Sequence, residues 1–589
     1  MSFTTRPTLT GTFGMAASTH WLATASAQAV LERGGNAFDA VVAGGFVLHL
    51  AEPHLNGPGG DLVGIFATAD APGEPIVLAG QGPAPAAATI EHYRSEGLEL
   101  VPGAGGLAAA IPGAVDAWLL LLRDHGTMEL GDVLSYAIGY AHDGVPLLPT
   151  TAATLRKVAP LFREHWTTSA DLWLPEGGVP EPGELVRNPR YAAVLERLVA
   201  AGSSAADRAG RIDAARTEFL RELVGPAASR FLSAPHRHSH GGDHAAVITA
   251  TDIAGFTATY EPALTAPFRG HTIAKAGPWC QGPALLEALR ILDGFDDDRL
   301  DPSTELGAHT LLETIKLALA DRDAYFGDGA AIDGLLTEEY AAQRRAEIGD
   351  TASREWRPGR LPGREPFRPP LRADDLASPG VGTGEPTVAA GGETRGDTCH
   401  IDVVDRWGNI VSVTPSGGWL QSSPTIPELG FCLGTRLQMT WLDESAPAAL
   451  RPGARPRTTL TPTLVLRDGR AMMALGTPGG DQQEQWQLPM LLRMLVGRQS
   501  PQEAIDAPTL HSIALVDSFW PRTFSPAGAY VEDRLGEDVI AGLAARGHDV
   551  MRAGDWLLGR LSAVGIDRER GVLWAAANPR GMQGYAAGR

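Results

Sequence analysis

Thr398 stands at the head of the run TCHIDVVDRWGNIVSVTPS, directly after a segment rich in Pro, Gly and Arg. A threonine at the head of a strand needs no chemistry to explain it, because β-branched residues fit a pleated surface. Cut free of Asp397, the same residue would hold a nucleophile and its base together. A new α-amine, with an ordinary pKa of about 7.7–8.0, is largely neutral near neutral pH and can take the hydroxyl proton. Downstream, Gly476-Thr477-Pro478-Gly479-Gly480 ends a strand in a Gly-Gly turn. Such a turn can aim backbone N–H groups at the oxyanion of an acyl-transfer intermediate, although most glycine turns only reverse the chain.

These residues need elements to position them. TCHIDVVDRWGNIVSVTPS alternates as two strands around the turn Trp407-Gly408-Asn409, and TPTLVLRDGRAMMALGTPGG (461–480) as two more around Asp468-Gly469. A closing hairpin is predicted over 561–576, and helices over 487–497 and 534–546. Upstream, Met15-Ala-Ala-Ser precedes an Ala-rich helical stretch stopped at Gly34-Gly35. Asn36 reads as the N-cap of a second helix through Leu50. GPGGDLVGIFA (57–67) is a glycine turn running into a strand. Helical spacing recurs at 113–125, 189–201, 284–294 and 306–325, the last an amphipathic pattern. From about 355 to 397 the periodicity disappears. The chain therefore reads as a helix-rich region over 1–397, ending in a Pro/Gly/Arg linker, and a strand-rich region over 398–589.

The composition limits the function classes. With 589 residues, 44% hydrophobic and 20% charged, the chain can bury a large core. A net charge of −20 argues against nucleic-acid or anionic-membrane partners. The cysteines Cys280, Cys399 and Cys432 are too few for a disulfide scaffold, and the absence of a CxxC pair argues against structural zinc. No apolar run approaches the ~18–20 residues of a membrane helix, and the N-terminus lacks a signal-peptide core. A cytoplasmic protein is expected. No phosphate-loop or dinucleotide fingerprint occurs. The tract His236-Arg-His-Ser-His240 with His244 could be metal-binding, but its polar context favours an exposed loop, and no metal or cofactor is expected. Alternation turns Cys399 away from the face of Thr398, as a core thiol. Cys280 either lines a cleft or packs beside Trp279.

Ordered blocks along most of the chain resemble the γ-glutamyltransferase (glutathione hydrolase) family of N-terminal nucleophile hydrolases. GGNAFDAVVAGG and EPHLNGPGGD (34–61), PGAVDAW (112–118), ITATDIAGF (248–256), GPWCQGPALLEAL (277–289) and ADRDAYFGD (320–328) come in the family's order. DTCHIDVVDRWGNIVSVT, RPRTTLTPTLV (455–465) and GTPGG follow. The resemblance implies an α/β fold, a four-layer α/β/β/α sandwich, and self-cleavage of a zymogen between Asp397 and Thr398 into subunits 1–397 and 398–589. It implies an acyl-enzyme on Thr398 formed from a small amide and passed to water or an amine. By the family pattern Gly479 and Gly480 donate to the oxyanion. Ser416 replaces a Thr that supports the nucleophile, and Thr414 matches a second Thr. The assembly beyond two subunits stays open, a higher oligomer included.

Departures cluster around the γ-glutamyl head group. Gln81 stands where the family has a carboxylate-binding Arg, and Gln cannot supply that charged fork. The paired hydroxyls remain as Thr458 and Thr459. On the ammonium side Gln438 matches, but Gly418 replaces an Asn and Trp441 replaces an Asp, which makes the pocket more apolar. Arg436, Arg455 and Arg457 lie near enough in sequence to restore a carboxylate site. The resemblance implies γ-glutamyl transfer or glutathione hydrolysis within glutathione metabolism. That is the leading reading; the runner-up, to which the departures point, is an acylase or amidase for another amide, of cephalosporin-acylase or oxamate-amidohydrolase type. An uncleaved binding protein on the same scaffold is the third reading, and it would need neither Thr398, Ser416 nor Gly479-Gly480.

Overall fold

The computed structural model describes residues 3–239, 241–372 and 398–589. The end of the linker, with Asp397 and the expected cleavage bond, lies outside the described residues. The run after Thr398 forms the strands Ile401–Asp405 and Ile410–Ser416, paired antiparallel. Asp405 makes the turn between them: its Oδ1 accepts from the backbone N–H groups of Trp407, Gly408 and Asn409, each at 3.0 Å. A carboxylate that satisfies three turn donors fixes the register of both strands.

Those two strands lie in the middle of a seven-stranded sheet, whose order is Tyr585–Gly588, Gly14–Ser18, Ile401–Asp405, Ile410–Ser416, Asp61–Ala67, Ile76–Gly80, Thr259–Pro262. A second seven-stranded sheet runs Leu9–Gly11, Val572–Ala577, Ser562–Asp567, Arg470–Gly476, Thr463–Arg467, His271–Lys275, Leu264–Phe268. Every pairing within the two sheets is antiparallel. Both sheets mix strands from before and after Thr398. The helix-rich region before the linker and the strand-rich region after it therefore do not build separate sheets. Gly14–Ser18 and the strands at 259–275 are short, and their Ala, Thr and Pro content hides the alternation.

One buried cluster, including Val63, Ile65, Val404, Leu464, Ala474 and Val564, joins the facing sides of the two sheets. The opposite side of the first sheet packs Ile401, Val403 and Val413 against the helices Trp21–Glu32, Ala37–Ala51 and Ala114–His125. The opposite side of the second packs Val465, Met473 and Ala563 against Pro283–Leu292, Glu305–Tyr325 and Gln483–Leu495. The expected cap at Asn36 is present as a capping box with Asp39. The helix Glu305–Tyr325 is not amphipathic in place, since its side chains from Gly307 to Tyr325 are all buried. Its polar residues meet buried partners instead of water. Among the described residues no helix is long and apolar enough to cross a membrane.

Candidate active site

The strand pairing brings the predicted residues to one end of the facing sheets. Thr398 forms a bridge with Ser416, and its hydroxyl donates to Ser416 Oγ at 3.3 Å; both are buried. Two residues along, His400 lies across from Thr414, with His400 Nδ1 and Thr414 Oγ1 at 2.8 Å. Side chains alternate as expected. Ile401 and Val403 face the helices, while Asp402 faces the second sheet and accepts from Ser562 Oγ at 2.7 Å. Cys399 accordingly turns to the helix side and is a buried thiol, its pKa pushed up by burial and by the neighbouring Glu52 carboxylate.

The glycine turn belongs to the second sheet, at the end of Arg470–Gly476. Gly476 lies directly under the His400 ring: a Cβ there would come within 2.2 Å of Cε1. Ser412 Oγ also reaches the Leu475 carbonyl, at 3.2 Å. The strand that leads into the turn and the strand led by Thr398 are thus in contact. Gly479 and Gly480 have φ values of +127° and +53°, backbone that side-chain-bearing residues rarely adopt. Gln281 Nε2 holds the Gly480 carbonyl at 3.0 Å, and Asp481 is fixed by Arg322 and by the Ser518 N–H at 2.7 Å. Behind the turn, Lys275 and Glu484 are fully buried, 3.9 Å apart. Burial pushes Glu484 up to about 7, against the pull of Lys275. Burial likewise brings Lys275 down to about 8, opposed by Glu484. Cys280 belongs to this cluster, its thiol raised to about 12 by burial; it is a packed core thiol.

The residues read as head-group contacts are placed less simply. Gln81 follows the strand Ile76–Gly80 on a groove of about 780 Å³ that also exposes Asp252, Glu261, Asp328 and Arg455. Gln81 Oε1 is buried without a partner. Thr458 and Thr459 are buried beside Cys280, and Thr459 Oγ1 is likewise unpartnered. Gln438 has both amide ends engaged. Its Nε2 donates to Gly103 O and Thr435 Oγ1, both at 3.1 Å, and its Oε1 accepts from Trp520 N at 3.2 Å. Trp441 does not simply add apolar surface, because the Arg522 guanidinium stacks 4.0 Å above its ring.

The three arginines that could restore a carboxylate site are all paired with acids. Arg436 forks onto Asp61 at 2.7 and 2.8 Å. Arg455 bonds Asp328 and Glu261 and stacks on Trp279. Arg457 bonds Asp323 and Ser518.

The sequence reading missed Thr19 and Glu52. Thr19 holds the nucleophile strand through Thr19 N to His400 O (3.0 Å), and its hydroxyl donates to Glu52 Oε2 at 2.5 Å. Glu52 sits in the block EPHLNGPGGD, which was the available signal. The His236–His244 tract is also corrected. His238 and Ser239 are fully buried, and His238 Nε2 accepts from Leu107 N at 2.9 Å. Elsewhere His309, Glu313 and His548 approach one another. Glu313 is already bound by Lys316 and Arg357, so this is an ion-pair network.

Comparison with known proteins resolves the family. The gamma-glutamyltranspeptidase family model matches residues 23–588. The chain belongs to that family. The solved structure of LmbA2991HD is 52% identical, with each chain fully covered and a TM-score of 0.94. The glutathione hydrolase-like YwrD proenzyme of Bacillus subtilis is 30% identical over 98% of this chain and 99% of its own. The oxamate amidohydrolase proenzyme of Klebsiella pneumoniae is 30% identical over 98% of each. The groove at Gln81 holds three carboxylates and one arginine, and Glu261 and Asp328 already pair with that arginine.

Two tests follow from this geometry. Gly476→Ala should lower the urea midpoint by an amount worth roughly 1–3 kcal/mol, because the His400 ring is bonded at both nitrogens and cannot swing away. An unchanged midpoint would mean that the ring shifts freely. For Glu484 the folded pKa lies above the unfolded one, so ionisation opposes folding as pH rises through about 4.5 to 7. Glu484→Gln should gain thermal stability relative to the parent across that interval. A gap between the two that does not change with pH would contradict the burial cost assigned to this carboxylate.

Proposed function

We propose that the chain is a self-processing N-terminal threonine hydrolase of the γ-glutamyltranspeptidase family that cleaves an amide lacking a free γ-glutamyl head group. The observation that carries this is the Thr398 hydroxyl held by Ser416, on a strand whose His400 packs on Gly476, three residues before the left-handed Gly479-Gly480 turn. In this reading the two sheets and their helices are the four-layer α/β/β/α sandwich of the N-terminal nucleophile hydrolases. Cleavage before Thr398 leaves subunits 1–397 and 398–589. They stay together because each sheet takes strands from both.

The chemistry then follows. The α-amine takes the proton from Thr398 Oγ as Oγ attacks the amide carbonyl. The N–H groups of Gly479 and Gly480 donate to the oxyanion. Collapse of the intermediate breaks the C–N bond, and the leaving amine departs with a proton from the α-ammonium. Water or a second amine attacks the threonyl ester by the reverse path. Ser416 accepts the nucleophile's hydrogen bond before attack and orients Oγ.

Electrostatics argues for the acyl group. A γ-glutamyl head carries a carboxylate and an ammonium, and each must exchange water for charged partners on binding. To the head's carboxylate Gln81 offers only a neutral amide, in a groove whose Asp252, Glu261 and Asp328 repel it. Arg436, Arg455 and Arg457 are spent on acids. Each charged hydrogen bond absent from the site weakens recognition by about 1.5–3 kcal/mol. An acylase or small-amide hydrolase fits this site better than a glutathione hydrolase.

Purified protein should run as two fragments, the smaller beginning at Thr398, and Thr398→Ala should remain one inactive chain. A preparation active as an intact chain would sink the mechanism. On substrate choice, kcat/KM for a γ-glutamyl anilide should fall below that for acyl anilides of similar size without the amino and carboxyl groups. A clear preference for the γ-glutamyl compound would refute the specificity argument while leaving the nucleophile in place.

A further inference from the structure

Arg560 lies two residues before the strand Ser562–Asp567 and touches both halves of the candidate active site. Its backbone N–H donates to Thr477 Oγ1 at 3.2 Å, two residues before Gly479. Its guanidinium extends to the end of the helix Ala37–Ala51, where Nη1 stands 3.5 Å from Glu52 Oε1. Glu52 accepts from the Thr19 hydroxyl, and Thr19 is bonded to the backbone of His400 on the nucleophile strand. The Arg560 side chain is only 10% exposed. Its Nε and Nη2 are both buried without a partner.

Nε and Nη2 form the edge with which arginine forks a carboxylate. Elsewhere in this molecule that edge is filled by an acid. Arg436 grips Asp61 through it at 2.7 and 2.8 Å, Arg216 grips Asp116 at 2.8 and 2.9 Å, and Arg580 grips Glu532 at 2.6 and 2.7 Å. Glu52 does not play that part for Arg560. It faces Nη1 and not the fork, and its two oxygens already accept from Thr19 and Gln583. Burial pushes the Glu52 carboxyl toward its neutral form, against the pull of Arg560. His54, the other titratable group on which the Arg560 charge bears, is driven well down by burial first and then by that charge, and brings no negative charge of its own. A guanidinium keeps its charge inside a protein. A buried cation so weakly compensated is costly unless an anion completes it.

We infer that the Nε–Nη2 edge of Arg560 is a binding site for a carboxylate, set between the glycine-turn strand and the flank of the nucleophile strand. Two sources can bring that group. It can belong to the acyl part of the substrate, as in a monoamide of a dicarboxylic acid, or to a separate small acid such as the released product. The site stands on the geometry; its assignment to the acyl part rests on the function proposed above. A γ-glutamyl head would bring its ammonium close to the same cation, and so gains less from this fork than an acyl group with a carboxylate alone.

The test titrates glutarate by calorimetry into wild type, Arg560→Gln and Arg560→Lys in a buffer free of other carboxylates. Wild type should bind one glutarate saturably, and Arg560→Gln roughly 10- to 100-fold more weakly. Arg560→Lys keeps the charge beside Glu52 but not the fork, and should also bind several-fold more weakly; it decides the matter if Arg560→Gln fails to fold. Kinetics on glutaryl and pentanoyl anilides then separates the sources. If the carboxylate belongs to the acyl part, wild type should prefer the glutaryl anilide, Arg560→Lys should lose that preference, and glutarate should inhibit competitively. If it belongs to a separate acid, glutarate should bind through Arg560 with no such preference and without competing. Equal glutarate affinity in all three proteins, or no saturable binding to wild type, would overturn the site. A wild-type chain that never cleaves itself would overturn the reaction proposed above, and the calorimetric comparison would still decide the fork.

Discussion

The double pairing of one strand underlies everything else at this site. Ile401–Asp405 is bonded to Gly14–Ser18 on one side and to Ile410–Ser416 on the other, and the pairing continues to Thr398 through its bridge with Ser416. A residue that must become a chain terminus and still hold its geometry cannot depend on the segment before it. Among the described residues, its position is set by neighbours that lie beyond the expected cut. The Cys399 N–H to Pro415 O bond and the Thr19 N–H to His400 O bond both lie beyond the expected cut, each at 3.0 Å. This is why a new N-terminus could be a precise catalytic group and not a fraying end.

The second sheet supplies the other half of the arrangement, and close approach joins the two. Gly476 has room only for a hydrogen beneath His400, and Ser562 reaches across to Asp402. A buried apolar cluster fills the layer beside them, and these polar contacts tie the strand that leads into the glycine turn to the nucleophile strand. The turn itself is held from behind by Gln281, Arg322 and Asp481, groups contributed by segments far apart in sequence. Preorganised donors of this kind stabilise developing charge without reorganising during the reaction.

Local chemistry was legible in the sequence. The turn at Trp407-Gly408-Asn409, the hairpin at Asp468-Gly469, the cap at Asn36 and the alternation that turns Cys399 away from Thr398 all rest on interactions spanning a few residues, and each is present. What was not legible depends on partners far along the chain. Gly14–Ser18 has no alternation to mark it as a strand, and it is one because Ile401–Asp405 and Tyr585–Gly588 lie on either side of it. Arg436, Arg455 and Arg457 looked available for a substrate because Asp61, Asp328 and Asp323 are remote in sequence. The polar residues of Glu305–Tyr325 suggested a solvent face, yet Asp321 and Arg322 find buried partners in Arg344 and Asp481.

In the proposed mechanism Thr398 Oγ becomes an ester of the acyl group, on a chain that begins at that residue. Acyl-enzyme trapping tests it most directly. Protein incubated with a slowly hydrolysed activated acyl donor would be quenched in acid, digested and mass-analysed. An added acyl mass is expected on a peptide whose first residue is Thr398, lost on treatment with hydroxylamine. Acyl mass on any other side chain, or on a peptide that still continues upstream of Thr398, would contradict it.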